Sequence, residues 1–264
     1  MREGAYNHRA QVKGSDEISQ IAGEFNSLTD RLQTTEEARR RFVSDASHEM
    51  KTPLAGIKLL ADSILQTENI DPETTREFVA DIGDEASRLE RITEDLLRLT
   101  RLDSGAIEPA VRVEVKPVLE RVTRMLQPVA RQRGIDLHCQ ADDTAAVLAT
   151  EGDIHQILYN LMENAVKYTA PGGFVHTYVA VESDQVVITV EDNGIGIPPE
   201  DMPHIFERFY RVDKTRSRQI GGTGLGLSIV GDTVHRRGGE ITVTPRENGG
   251  TVFTVRFAQV EVTT

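Results

Sequence analysis

The spacing of apolar residues divides the chain into two parts. From Asp16 to about Gln66, apolar positions recur every three or four residues, as on one face of a helix. A second stripe follows Asp71 and Pro72, which suit the cap and the first position of a helix. The short turn between the stripes predicts an antiparallel helical hairpin. Because these stripes are wide, we expect two copies to pair into a dimeric four-helix bundle.

The remainder of the chain predicts alternating strands and helices. Residues 1–110 contain three prolines and six glycines, whereas residues 111–264 contain seven and fifteen. Such punctuation separates short elements. The pattern predicts helices at 116–132, 153–168 and 225–237, and strands at 111–115, 135–140, 146–150, 174–182, 185–192, 240–245 and 251–258. Helices packed on one mixed sheet would form an α/β sandwich.

Composition excludes several classes of protein. The net charge of −12 argues against nucleic acid as a partner. No apolar run reaches the roughly 18 residues of a membrane helix, and the polar start after Met1 predicts no signal peptide. The single cysteine, Cys139, excludes an intramolecular disulfide, fits a reducing cytosol and is expected to be a small core residue.

His48 is the first candidate for chemistry. On the predicted helix it lies about 180° from the centre of the apolar stripe, so it should face solvent. Glu49 adjoins it, Thr52 follows one turn later, and Pro53 should bend the helix. An imidazole nitrogen can attack phosphorus while a carboxylate accepts its proton. The alternative is a solvated histidine beside a tolerated proline.

A second set of candidates lies along one edge of the predicted helix 153–168. Asn160, Asn164, Lys167 and Tyr168 follow one another at helical spacing. An amide oxygen suits Mg²⁺, a lysine suits a phosphate, and a tyrosine ring can lie against a base. An ordinary polar flank is the alternative for this edge.

Two glycine-bearing segments enclose a basic loop. EDNGIGIP (191–198) follows a strand, and GGTGLGLSIV (221–230) opens into a helix whose N-terminus could hold an anion. Each segment alone could equally be a plain turn or a flexible loop. The intervening FERFYRVDKTRSRQ is predicted to be a mobile lid that meets phosphates. Its basic residues are Arg208, Arg211, Lys214, Arg216 and Arg218.

Together, in this order, these segments resemble the sensor histidine kinases of bacterial two-component systems. FVSDASHEMKTPLAGI resembles the family's H box, NLMENAVKYT its N box, EDNGIGIP its first glycine box, IFERFYRVD its F box and GGTGLGLSIV its second glycine box. DEISQIAGEFNSLTDRL resembles the end of a HAMP signalling domain. The resemblance implies a histidine kinase/gyrase-type ATPase fold for the α/β part. It also implies a truncated membrane receptor of which this is the cytoplasmic portion.

The resemblance assigns a role to each candidate residue. His48 becomes the phosphoacceptor, Glu49 its acid/base partner and Thr52 the residue that positions water for phosphatase activity. Asn160 becomes the Mg²⁺ ligand, Asp192 the acceptor of the adenine amino group and Arg211 a contact of the γ-phosphate. The remaining nucleotide contacts or pocket-shaping residues are Asn164, Lys167, Tyr168, Gly194, Gly196, Gly222, Gly224 and Gly226. Lys51 departs from the family pattern, because arginine is common there and lysine lacks its bidentate fork.

The resemblance also implies a domain order and partners. Residues 1–36 would contain a partial HAMP helix and a signalling helix, and residues 37–103 would dimerise and accept the phosphoryl group. Residues 104–110 would be a linker, and residues 111–260 would bind ATP with Mg²⁺. The expected partners are a second copy of the chain and the receiver domain of a response regulator. Membrane attachment would come only through a missing N-terminal part. The competing hypotheses are a related ATPase without histidine phosphorylation and a non-catalytic dimeric scaffold.

Overall fold

The chain folds into two compact units, Met1–Leu89 and Glu90–Thr264. Their architecture is taken from a computed structural model that describes residues 10, 17–67, 70–103, 108–212 and 222–260. Within these ranges, no helix is both long and apolar enough to span a bilayer. The helical hairpin and the α/β fold predicted from the sequence are both present.

Two long helices, α1 (Glu17–Gln66) and α2 (Pro72–Asp103), form the hairpin. Asp71 caps α2 as predicted, because its Oδ1 accepts hydrogen bonds from the backbone N–H of Glu73 at 3.0 Å and of Thr74 at 2.9 Å. Hydrogen bonds from Thr74 lower the pKa of this carboxyl. The helix α1 continues through Pro53, whose side chain is buried.

Apolar side chains of α1 remain uncovered in the single chain. Leu54, Leu59 and Leu65 are 59%, 68% and 82% exposed, and Met50 is 37% exposed. Soluble proteins rarely leave this much contiguous apolar surface in contact with water. The exposure is therefore compatible with the predicted pairing of two hairpins, which stays a prediction.

The second unit is an α/β sandwich. Its five-stranded sheet has the order β2-β4-β5-β7-β6, in which β2 and β4 are parallel and the other neighbours antiparallel. The strands of this sheet are β2 (Asp136–Ala141), β4 (Phe174–Glu182), β5 (Gln185–Asp192), β6 (Glu240–Pro245) and β7 (Thr251–Ala258). The helices are α3 (Val115–Gln132), α4 (Glu151–Tyr168) and α5 (Gly226–Arg236). Their apolar sides and the alternating inward residues of the strands form one core.

The prediction of one mixed sheet is wrong in one respect. Strands β1 (Val111–Glu114) and β3 (Ala146–Ala149) pair antiparallel in a separate two-stranded sheet. Strand propensity does not decide which strands pair, and these two bond to each other while their side chains Val113 and Val147 are buried in the core. Cys139 packs half-buried against the core, and burial raises the pKa of its thiol.

The N-terminus of α4, the helix that carries the second set of candidates, is fixed by a charged cluster. Thr150 Oγ1 accepts from the N–H of Asp153 at 3.1 Å, and Asp153 Oδ2 accepts from the N–H of Thr150 at 3.0 Å. Arg237, which follows α5, places Nη2 2.7 Å from the same Oδ2 and donates from Nη1 to the Glu108 carbonyl at 3.1 Å. The side chains of Arg237 and Asp153 are only 6% and 16% exposed.

Replacement of Arg237 by alanine is expected to destabilise the protein by about 3 kcal/mol, because it removes the arginine that contacts the buried Asp153 carboxylate. Urea denaturation followed by circular dichroism measures the loss. The control is Arg131→Ala on the exposed side of α3, which should cost less than about 0.5 kcal/mol. Equal losses in the two variants would remove this role of Arg237.

Candidate functional site

His48 lies on the exposed surface of α1, as its position opposite the apolar stripe predicts. Its neighbour Glu49 is half-buried, with its Oε2 3.6 Å from Nη2 of Arg88 on α2. Arg88 is only 9% exposed. This ion pair across the hairpin restricts where the Glu49 carboxylate can lie. Sequence reasoning missed Arg88, because an arginine within a helical stripe gives no signal of its partner on another helix.

Thr52 lies on the exposed side of α1, one turn after His48. Its Oγ1 donates a hydrogen bond to the carbonyl oxygen of His48 at 3.2 Å. This back-bonding is common for threonine in helices. It occupies the hydroxyl proton but leaves the oxygen able to accept a hydrogen bond from water.

The α/β unit contains a cavity of about 680 Å³, large enough for a nucleotide. It is bounded by α4, the end of β5, the segment after β5 and the glycine segment that opens α5. Almost all of the second-unit candidates line it: Asn160, Asn164, Lys167, Tyr168, Asp192, Gly196, Arg211, Gly222, Gly224 and Gly226. Gly194 is not part of the lining. Three basic lid residues, Lys214, Arg216 and Arg218, lie outside the described residues.

The polar edge of α4 supplies one wall of this cavity. Asn160 is 7% exposed, and its Nδ2 donates to the carbonyl oxygen of Gly226 at 3.2 Å. The amide oxygen of Asn160 is therefore the atom left for a ligand. Burial lowers the pKa of Lys167, as do the charges of Arg91, Arg133 and Arg211, while Glu163 raises it. A bound anion would offset that local excess of positive charge.

Asp192, at the end of β5, lies deep in the cavity and is 6% exposed. Its Oδ1 accepts from the N–H of Gly194 at 2.8 Å. Burial raises the pKa of this carboxyl, although hydrogen bonds from the backbone of Gly194 and Thr251 oppose the shift. A buried carboxylate with an open side is suited to accept a hydrogen bond from an amino group.

Two glycines are required because the backbone of the segment after β5 and of the segment before α5 lies very close to the backbone of other residues. A Cβ on Gly194 would lie 2.4 Å from the carbonyl oxygen of Tyr168, so only glycine allows the segment after β5 to close on α4. Gly224 has φ +73°, and its Cβ would lie 2.9 Å from the backbone of Phe209. At Gly222 and Gly226 a Cβ would meet only ordinary contacts, at 3.6 Å and 3.5 Å.

The last turns of α2 also line the cavity, which sequence reasoning did not foresee. They contribute Arg91, Glu94, Asp95 and Arg98. Asp95 Oδ2 accepts a hydrogen bond from Thr223 Oγ1 at 3.1 Å. The apolar stripe of α2 predicts which side of the helix is buried. It does not predict that the polar side of α2 contacts the glycine segment.

The donor set of the cavity fits a magnesium ion bound with a nucleotide. Among the residues that the structure describes, no three His, Cys, Asp or Glu side chains cluster closely enough to hold a metal. Asn160 offers one hard oxygen, which is the donor type that Mg²⁺ prefers. Mg²⁺ commonly takes most of its other ligands from water and substrate phosphates.

Comparison with known families agrees with this geometry. Residues 149–261 match the model of the histidine kinase-, DNA gyrase B- and HSP90-like ATPases. Residues 38–105 match the model of the His Kinase A phosphoacceptor domain. The two matches fall on the α/β unit and on the hairpin that carries His48.

Individual relatives agree as well. The chain is 33% identical over 248 residues to the sensor histidine kinase YkoH of Bacillus subtilis, covering 94% of this chain and 54% of that protein. It is 38% identical over 253 residues to the probable sensor histidine kinase TcrY of Mycobacterium tuberculosis, covering 92% and 52%. The chain thus spans about half the length of these relatives.

Solved structures show the same fold. Full-length ShkA in complex with AMPPNP has a TM-score of 0.61 at 29% identity, covering 84% of this chain and 47% of that one. Histidine kinase ThkA, in complex with response regulator protein TrrA, has a TM-score of 0.68 at 24% identity, covering 94% and 68%.

Proposed function

Because this chain belongs to the sensor histidine kinases, we propose that it binds ATP in the cavity of the α/β unit and transfers the γ-phosphoryl group to His48. The observation that carries the proposal is the convergence of Asn160, Lys167 and Asp192 on one nucleotide-sized cavity, in a chain whose hairpin exposes His48. Either feature alone is common, whereas the two together supply a donor site and an acceptor.

The proposed chemistry is an in-line displacement. An imidazole nitrogen of His48 attacks the γ-phosphorus, the bond to the β–γ bridging oxygen breaks, and ADP leaves. Lys167 and Arg211 offset the negative charge of the triphosphate, and Asp192 fixes the adenine. Mg²⁺, held by Asn160 and by phosphate oxygens, would neutralise further charge when bound.

Glu49 is proposed to take the proton that His48 loses. Its carboxylate lies beside the imidazole in sequence and is paired with the buried Arg88 across the hairpin. The pairing restricts the rotamers of Glu49, so the base is oriented before the reaction. The remaining pocket residues, Asn164 and Tyr168 with the glycines, are proposed to contact the nucleotide or to shape its pocket.

The phosphoramidate on His48 is a reactive donor, and we propose an aspartate of a response regulator as its acceptor. The exposed surface around His48 would receive that partner. The uncovered leucines of α1 would be covered by a second copy of the chain in a four-helix bundle. We further propose that the chain is the cytoplasmic part of a longer membrane receptor, with residues 1–36 ending its HAMP domain.

Incubation with γ-labelled ATP and Mg²⁺, followed by acid or base, tests the proposal. A phosphohistidine loses its label in acid and keeps it in base. No incorporation would favour a non-catalytic scaffold if ATP still binds. Release of labelled phosphate without incorporation would favour a related ATPase.

Thr52→Ala is expected to leave phosphorylation of His48 near normal and to slow regulator dephosphorylation at least tenfold, equivalent to about 1.4 kcal/mol of barrier. The Thr52 oxygen can hold a water in line with an aspartyl phosphate on the docked regulator. The measurement is the decay of purified phosphorylated regulator with each variant and ADP.

Ser47→Ala is the matched control for Thr52. Ser47 is also exposed near His48, and its Oγ donates to the carbonyl oxygen of Val43 at 2.7 Å. Its variant should leave the decay unchanged. If Thr52→Ala and wild type supported equal decay rates, Thr52 would have no phosphatase role and the kinase proposal would stand.

A further inference from the structure

The end of α2 is hydrogen-bonded to the glycine segment before α5 and to α4, two of the elements that bound the cavity. Asp95 bonds Thr223, and Arg98 Nη2 donates to the carbonyl oxygen of Gly152 at 3.2 Å. Arg98 Nη1 also donates to Oε1 of Gln156 on α4. These residues belong to the same compact unit as the cavity. The end of α2 is thus a wall of the site and not a remote support.

Thr223 stands at the start of the glycine segment, and its hydroxyl makes two hydrogen bonds. Its oxygen accepts a hydrogen bond from the N–H of Leu225 at 3.2 Å, and its O–H donates a hydrogen bond to Asp95. A hydroxyl has only one proton. While it is donated to Asp95, Thr223 cannot donate to a phosphate oxygen.

The negative charge of Asp95 also disfavours the binding of a phosphate in the cavity. Its carboxylate is half-buried in the wall of the cavity, where solvent screens charge less than at an open surface. Burial raises the pKa of Asp95 to about 6, Glu163 and Glu94 add to the shift, and Thr223 and Arg98 oppose it. Asp95 is therefore ionised near neutral pH and repels an anionic ligand more strongly the more phosphates that ligand carries.

We propose that Asp95 is a specificity-determining residue that opposes triphosphate binding and, through Thr223, holds the glycine segment against α2. Full engagement of ATP then requires residues 91–98 to withdraw from the cavity. This inference rests on the proposed nucleotide site. In this proposal, α2 weakens nucleotide binding, and the effect increases with the number of phosphates on the nucleotide.

Asp95→Asn tests the proposal, because the amide keeps the shape and can still accept from Thr223 but has no charge. Calorimetry at about pH 7.5 would compare AMP, ADP and a non-hydrolysable ATP analogue, each with Mg²⁺. The variant should bind the ATP analogue about tenfold more tightly than wild type, ADP about threefold, and AMP with the smallest gain, less than about twofold. Glu90→Gln, on the exposed side of α2 and outside the cavity lining, should change none of the three affinities.

An equal gain for all three nucleotides, no gain, or weaker binding of the ATP analogue would overturn the proposal. Failure of wild type to bind any nucleotide would instead overturn the proposed function. The graded dependence on phosphate number separates charge repulsion from a structural effect, which would alter all three affinities alike.

A pH series on wild type and on Asp95→Asn gives a second readout. The preference for the ATP analogue over AMP should increase as the pH falls through about 6 and Asp95 takes up a proton. The other ionisable groups that line the cavity are Arg91, Glu94, Arg98, His155, Tyr159, Glu163, Lys167, Tyr168, Asp192, Tyr210 and Arg211. Because Asp95→Asn keeps these groups and binds the same phosphates, the ratio of the two proteins' affinities isolates Asp95. A ratio that is constant with pH would contradict the proposal.

Discussion

Replacement of His48 by glutamine is expected to abolish covalent phosphorylation, a loss of more than about 1,000-fold, and to leave ATP affinity unchanged. Glutamine has a similar size but an amide nitrogen that is not nucleophilic. His48 is exposed on a continuous helix, so the substitution removes no packing. Label incorporation from γ-labelled ATP and calorimetry with an ATP analogue measure the two effects.

His138→Gln is the matched control, since His138 is exposed on β2 in the α/β unit. This variant should incorporate label as wild type does. Label remaining on His48→Gln would mean that another residue accepts the phosphoryl group, and the assignment of His48 would then be wrong.

Replacement of Asp192 by asparagine is expected to weaken ATP binding about 100-fold, because the proposed hydrogen bond from the adenine amino group would lose its charged acceptor. The stability of the protein should not fall. Burial raises the pKa of Asp192, so its charge opposes folding near neutral pH, and a neutral amide removes that penalty. The asparagine carbonyl can still accept from the N–H of Gly194.

Calorimetry with an ATP analogue and urea denaturation at neutral pH check both parts. Asp184→Asn is the control, because Asp184 lies in the β4–β5 turn with φ 65°, a conformation that asparagine tolerates well. It should change neither quantity. Wild-type affinity in Asp192→Asn would exclude this carboxylate from the nucleotide site, and loss of stability together with affinity would assign it a structural role.

Much of the cavity was predictable, because its residues share short segments. Asn160, Asn164 and Lys167 lie on one edge of a single helix, so helical spacing alone brings them to one wall. Asp192 and the following glycines come from one strand end. Within one helix or one strand end, the sequence spacing determines which side chains lie together. Most predicted element bounds agree with the structure to within two residues.

Contacts between distant elements were not predictable. Arg88 meets Glu49, and Asp95 meets Thr223, only because separate elements pack together. Arginine and aspartate on a helix more commonly face water, so neither gave a signal. The separate pairing of β1 with β3 also depends on where the core ends, which strand propensity does not encode.

Mass spectrometry of the wild-type protein after incubation with Mg-ATP tests whether His48 accepts the γ-phosphoryl group. The sample is kept at neutral or basic pH. Fragmentation that preserves the P–N bond would locate the added phosphoryl group. If His48 accepts the phosphoryl group, the group is found on His48 and is lost on brief acid treatment. A phosphoryl group on another residue, or none in a protein that binds ATP, would contradict this role of His48.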